Sequence, residues 1–282
     1  MAKIVGCINT SHVPAIGRAL AMNEQETDYW KPFFDGFPPI REWLSAARPD
    51  IAVIIYNDHG LNFFLDKMPT FAIGAASTYE NSDEGWGIPT LPPFAGDLDL
   101  SWHLIESLVD AEFDITSCQE MLVDHAFTLP MKLLWPDASQ GSWPVATVPV
   151  CINTVQHPLP SPKRCADLGR AVGDAIRSWA TDHRVVIIGS GGLSHQLDGQ
   201  RAGFINKRFD LEFMQSLAHD PSWATRFSIH DLVDLTGTQG VELLTWLAAR
   251  SALGSQAQLV HSNYHIPISN TAAGTIAFAE PH

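Results

Sequence analysis

Four short apolar runs punctuate the chain, at 4–8 (IVGCI), 51–56 (IAVIIY), 145–150 (VATVPV) and 185–188 (VVII). They are β-branched and nearly continuous, without the apolar–polar alternation of a half-exposed strand. A strand that is apolar on both sides needs its sheet covered on both faces, which is the condition of an α/β core. The segments between them supply the cover. Residues 38–48 predict a helix with proline in its first turn, and 99–112 predict another. Over 163–180, Leu168, Ala171, Val172, Ala175, Ile176 and Trp179 form a stripe at helical spacing. A fourth helix is predicted over 240–253, with Gly254 as its stop. The fold class is therefore α/β: one domain over residues 1–282, with a central mostly parallel or mixed sheet flanked by helices. No internal repeat, low-complexity segment or linker-like break divides the chain, and 282 residues can bury one core without staples. Residues 80–96, rich in glycine, proline and charge, predict a long ordered loop of the kind that often carries function.

Charge and cysteine usage exclude several classes. With 31 acidic and 17 basic residues, the formal net charge is -14. No lysine–arginine cluster offers a nucleic-acid face. The acidic balance also repels anionic ligands at long range, so an anionic substrate needs specific local donors. Cys7, Cys118, Cys151 and Cys165 include no CxxC and fit neither a zinc ribbon nor a disulfide framework. Cys7 and Cys151 lie in strand-like runs and read as core thiols, consistent with a reducing, cytoplasmic setting. The N-terminus enters a strand directly and no apolar run reaches 18 residues, so neither a signal peptide nor a membrane span is expected.

Histidines then mark the chemistry. His12 and His59 each follow an apolar strand, and His195 follows Gly191-Gly192-Leu193-Ser194 beyond another; His125 follows Asp124. Open α/β sheets place functional groups just past the C-terminal ends of strands. Glu242 lies near the start of a predicted helix, where the macrodipole favours its ionised form. Two imidazoles and a carboxylate suit a redox iron with one open face for a bidentate substrate and O2. His12, His59 and Glu242 are the candidate ligands. His195 is the candidate general base, approached closely because of the glycines before it, and His125 is a substrate-orienting candidate. Each residue also has an ordinary reading. A histidine after a strand is commonly a hydrogen-bonded core or surface residue. Asp58 and Asp124 suit turns whose N–H groups they cap. Glu242 suits a plain helix start, and His103, His183, His219, His230 and His282 suit solvated positions.

The wider pattern resembles the type II extradiol ring-cleavage dioxygenases. The matching words are Thr10-Ser11-His12-Val13-Pro14-Ala15, Tyr56-Asn57-Asp58-His59, Pro69-Thr70-Phe71-Ala72-Ile73-Gly74, Asp83-Glu84-Gly85-Trp86-Gly87, Val123-Asp124-His125, Gly191-Gly192-Leu193-Ser194-His195-Gln196-Leu197, Gly240-Val241-Glu242-Leu243 and Tyr264-His265-Ile266-Pro267. They span nearly the whole chain, and the likeness is nearest to the catalytic beta chain of the protocatechuate 4,5-cleaving members. The resemblance implies Fe(II) on His12, His59 and Glu242, acid–base catalysis by His195, and ring opening beside the two hydroxyls of a carboxylated catechol with insertion of both atoms of O2. It also implies substrate contacts at Asn57, Ser269 and Asn270; for Ser269-Asn270 a plain turn before the last strand is the competing reading. A small alpha subunit covering the site in an α2β2 assembly is the expected partner. Gallate and 3-O-methylgallate are alternative substrates, since one ring substituent is a small pocket difference. A zinc hydrolase and a non-catalytic binding relative are the alternatives from other classes.

Overall fold

The computed structural model describes residues 1–138 and 142–281. The chain opens with β1 (Lys3–Thr10), α1 (Pro14–Ala21), α2 (Lys31–Phe34), α3 (Pro38–Ala47) and β2 (Ile51–Tyr56). Then come β3 (Phe71–Gly74), β4 (Thr78–Asn81), β5 (Phe94–Ala95), α4 (Leu98–Asp110), β6 (Thr116–Cys118), β7 (Leu122–Val123) and α5 (His125–Leu134). The second half holds β8 (Ala146–Ile152), α6 (Pro162–Ser178), β9 (Arg184–Ser190), α7 (Lys207–His219), α8 (Ile229–Thr236) and α9 (Leu243–Ser251), and closes on β10 (Gln258–Ile268) and β11 (Thr271–Ala279).

Eight strands form one mixed sheet in the order β10-β11-β1-β9-β2-β8-β3-β6. Its centre, β1-β9-β2-β8, is parallel. β11 and β10 extend it antiparallel on one side, and β3 joins antiparallel to β8 on the other. Burial on both faces, the property that marked the four runs in the sequence, sorts each strand's side chains by parity. Val53 and Ile55 of β2 face the core built with α4, α6, α7 and α9; Ala52, Ile54 and Tyr56 face the core built with α1, α2, α3 and α5. The α/β single-domain fold with a mixed sheet between helices is the one the pattern predicts.

Several details depart from the sequence reading. The 80–96 stretch starts in β4 and ends at β5, two strands of a small sheet that β7 completes. Between them the Asn81 side chain grips both backbone groups of Leu91. The helix expected over 240–253 begins as a 3₁₀ turn, Gly240–Glu242, before α9. His103, expected in solvent, reaches the Ala175 carbonyl at 2.8 Å and stacks near Trp179. The β10–β11 connection has two central residues, Ser269 and Asn270, both at positive φ (49° and 62°). That is the backbone of a tight hairpin turn whose twist matches the strands it joins.

Register places the site. Thr10 of β1 lies opposite Ser190 of β9, and Gly189 opposite Ile55 of β2. Three parallel strands therefore end at one level, and the residues that follow each of them share one crevice.

Candidate metal centre and active site

His12, Asn57, His59 and Gly191-Gly192 are the residues that follow those three strand ends. The 3₁₀ turn carrying Glu242 packs against the glycines. A Cβ on Gly191 would clash with the Glu242 carbonyl oxygen, and one on Gly192 would meet the His195 ring at 2.5 Å. Glycine is required there because the backbone and the imidazole already fill the space. His125 arrives from elsewhere, as the first residue of α5, whose N-terminus Asp124 caps through Ala126 N–H.

Each ring is fixed by its Nδ1. The Ser190 hydroxyl donates to the Ala126 carbonyl, so it accepts from His12 Nδ1–H at 2.9 Å. His59 Nδ1 donates to Asp124 Oδ2 at 2.9 Å, and the same oxygen accepts the His59 backbone N–H. Both neutral tautomers then turn the Nε2 lone pair inward. Glu242 lies between these nitrogens: Oε2 is 3.3 Å from His12 Nε2 and Oε1 is 3.5 Å from His59 Nε2. Gly192 N–H donates to Oε2 at 3.0 Å, and the Asn57 amide reaches Oε1 at 3.4 Å and His59 Nε2 at 3.1 Å.

His125 completes the cluster. Its Nδ1 and backbone N–H are both held by Glu84, at 2.8 and 2.6 Å. One nitrogen from each of His12, His59 and His125 lies within 4.8 Å of the other two. Two donor sets thus share His12 and His59, one closed by Glu242 and one by His125. Either provides nitrogen and oxygen donors of the kind that bind a divalent transition metal. His195 faces the same space with its Nδ1 anchored on the Leu193 carbonyl at 2.8 Å. A cavity of about 630 Å³ opens over the group, lined by all four histidines, Glu242, Glu84, Trp86, Arg18 and Ser269 among others. It is large enough for a single aromatic ring with substituents.

A family profile described as the catalytic LigB subunit of aromatic ring-opening dioxygenase matches residues 6–274. The chain belongs to this family. Among LigB-family relatives, it is 37% identical over 195 residues to a gallate dioxygenase of Pseudomonas putida, a stretch covering 69% of this chain and 56% of that enzyme. The matched part therefore spans little more than half of that relative's length. It is 29% identical to a 2,3-dihydroxyphenylpropionate/2,3-dihydroxicinnamic acid 1,2-dioxygenase of Photorhabdus laumondii, over 96% of this chain and 95% of the other. A solved structure of an uncharacterized Escherichia coli protein shares the fold at a TM-score of 0.56 and 15% identity, covering 97% of this chain and 99% of that one. These relatives bear the names of gallate and dihydroxyphenylpropionate enzymes, whereas the sequence reading placed the likeness nearest to protocatechuate 4,5-cleavage.

The electrostatics of this LigB-family site favour a cation at its centre. Burial alone would raise the Glu242 carboxyl, but His12 and His59 beside it hold it well below the usual carboxylate range. Burial lowers His12 despite Glu242. His59 is also pressed down by burial, yet the Asp124 and Glu242 carboxylates together outweigh this and lift it to about 10; a quarter of its side chain is open to the cavity. Asp124 falls to about 2, burial notwithstanding, because His59 faces it. The field that favours a proton at His59 between Asp124 and Glu242 would favour a metal ion in the same place, and the two would compete.

Two residues expected at the substrate do not line the cavity. Asn57 is fully buried behind the candidate metal ligands, and its amide nitrogen is directed at Glu242 and His59. Asn270 is exposed on the hairpin turn and is not among the cavity-lining residues, although its neighbour Ser269 is. Four others were not singled out as site residues: Glu84 and Ser190, which orient His125 and His12, Asp124, which orients His59, and Arg18, which lines the cavity. Asp124 had signalled itself only as a turn residue, a role it also plays. Asp58 does cap its turn, accepting the backbone N–H groups of Gly60, Leu61, Asn62 and Phe63. Among the described residues, no helix is long and apolar enough to cross a membrane.

Proposed function

We propose that this chain is an Fe(II) extradiol dioxygenase that opens the ring of a catechol carboxylic acid beside its two hydroxyls, inserting both atoms of O2. The observation that carries the proposal is the convergence of two inward-facing Nε2 atoms on the buried Glu242 carboxylate, with His195 on the same cavity wall. His12, His59 and Glu242 would hold the iron, one charged and two neutral ligands that leave a face open. Bound there, Fe(II) would supply the site for the catechol oxygens and a conduit for electrons between ring and oxygen.

The protein's own groups do the rest. His195 takes a proton from a ring hydroxyl at Nε2, while its Nδ1 stays on the Leu193 carbonyl. His125 is held by Glu84 against rotation, so its Nε2 presents a fixed polar contact to substrate or oxygen. Ser269 offers a neutral donor at the cavity wall. Trp86 and Leu197, 56% and 60% exposed at the same cavity, suit a ring below and a covering partner above. That partner is the small alpha subunit of an α2β2 assembly. Protocatechuate, giving 4-carboxy-2-hydroxymuconate-6-semialdehyde, is the first substrate and gallate the second, a choice supported by the likeness to a gallate dioxygenase. The setting for this chemistry is the cytoplasm.

The test is anaerobic reconstitution with Fe(II), with and without the small subunit, followed by each acid and O2. Oxygen uptake equal to substrate consumed, with a yellow ring-opened product, is expected. Stoichiometric zinc in protein purified without added metal, together with hydrolysis and no oxygen uptake, would replace the reading with a hydrolase. Iron content of Glu242→Ala and His125→Ala separates the two donor sets: loss in the first and retention in the second is the expected pattern.

A further inference from the structure

Arg18 is the sole lysine or arginine among the residues that line the cavity. It lies in the last turn of α1, the helix that begins two residues after His12. Pro14 and Arg18 stand four apart on that helix, and Ala15 and Arg18 three apart, so one helical face carries all three along the cavity wall. Gly17 and Ala19 on either side are buried, whereas Arg18 is exposed to the cavity and solvent.

The carboxylates nearby are already committed. Glu84 uses both oxygens on His125, and Glu242 is held by Gly192 N–H and Asn57 while facing His12 and His59. Among the described residues, no carboxylate or carbonyl holds the Arg18 guanidinium. Other arginines are engaged: Arg177 with Glu280, Arg226 with Asp220, Arg184 with the Ala47 carbonyl. The formal net charge of -14 disfavours anions over the surface as a whole, so any anion that enters this cavity depends on a local cation. A planar guanidinium is matched to a carboxylate through two parallel hydrogen bonds.

We infer that Arg18 recognises the acid group of the substrate, setting this chain's preference for catechol carboxylates over neutral catechols. Ser269, on the hairpin turn at the same cavity, lends a neutral donor beside it. The identity of the ring rests on the proposed ring-opening function; the acid-binding role of Arg18 rests on its charge and place.

The experiment compares 3,4-dihydroxybenzoate with its methyl ester. Anaerobic calorimetric titration gives the affinity of the iron-loaded protein for each, and oxygen uptake gives kcat/KM. In the wild type, the acid binds more tightly. Arg18→Met lowers the acid-over-ester ratio roughly ten- to a hundredfold, and Arg18→Lys, a point charge without the fork, lowers it less. An unchanged ratio in Arg18→Met, or a wild type that binds acid and ester alike, overturns the inference. A wild type that prefers the acid through Arg18 yet opens neither ring leaves the inference standing and defeats the dioxygenase reading.

Discussion

A neutral imidazole can offer either nitrogen to a metal, and the partner of the other nitrogen decides which. Ser190 holds His12 and Asp124 holds His59, each at 2.9 Å. Such supports fix the tautomer and the ring plane, and their loss commonly weakens metal binding tenfold to a hundredfold. Asp124→Ala should lower iron affinity by roughly that factor, measured by competition with a chelator. Asp124 also makes metal-free stability depend on pH. Its folded value of about 2 lies below the ordinary aspartate value of about 3.9. The contribution is therefore full above that ordinary value and is lost as pH falls through the folded one. The difference in thermal stability between metal-free wild type and Asp124→Asn should accordingly narrow from about pH 4 down to about pH 2. His195→Phe should retain iron and lose turnover by at least about a hundredfold, the usual worth of a positioned general base.

At the scale of elements, the loop after β9 carries His195, the proposed base, and three neighbours hold it in place. Leu193 and Ser194 pair with Ala272 at the start of β11, His195 N–H donates to the Thr236 carbonyl, and Gly240 N–H donates to the His195 carbonyl. Behind the loop, Asp210 of α7 accepts the Ser194 N–H and hydroxyl and the Tyr264 hydroxyl. Burial raises the Asp210 carboxyl and these hydrogen bonds oppose the rise. Asp210→Ala leaves a buried backbone N–H without its partner, a loss of roughly 1–3 kcal/mol. A fall in Tm of several degrees is expected, together with a fall in kcat as the His195 loop loosens, measured by calorimetry and oxygen uptake. Gly191→Ala acts from the other side. Its Cβ would strike the Glu242 carbonyl, which belongs to backbone and cannot rotate away. The 240–242 turn must shift, so iron content should fall in this variant without substitution of any proposed ligand.

For the whole molecule, the net charge and Arg18 act on an anionic substrate in opposite directions. A net charge of -14 repels a catechol carboxylate at distances where salt screens, over about 8–10 Å at physiological ionic strength. Arg18 attracts it at contact, where salt screens less. Raising ionic strength from about 0.01 M to about 0.15 M should therefore lower KM for the acid and leave KM for the methyl ester nearly constant, measured by oxygen uptake. The fold itself was legible because apolar runs at 51–56 and 185–188 admit only a sheet covered on both faces, and because His12, His59 and His195 follow such runs directly. Glu84, Ser190 and Arg18 were not legible as site residues. Glu84 and Ser190 gain their roles from neighbours distant in the chain, 41 residues away at His125 and 178 away at His12, and Arg18 from its place on the cavity wall. The hairpin turn at Ser269-Asn270 was visible as a turn, but which of its residues faces the cavity depends on how β11 meets the loop at His195. Local patterning is enough to set the layers, the strand ends and the residue types at those ends, because it fixes which surfaces must be buried. Which nitrogen each histidine turns inward, which carboxylates are already committed and which cation is left for a ligand depend on hydrogen bonds between segments that meet only when the sheet has assembled.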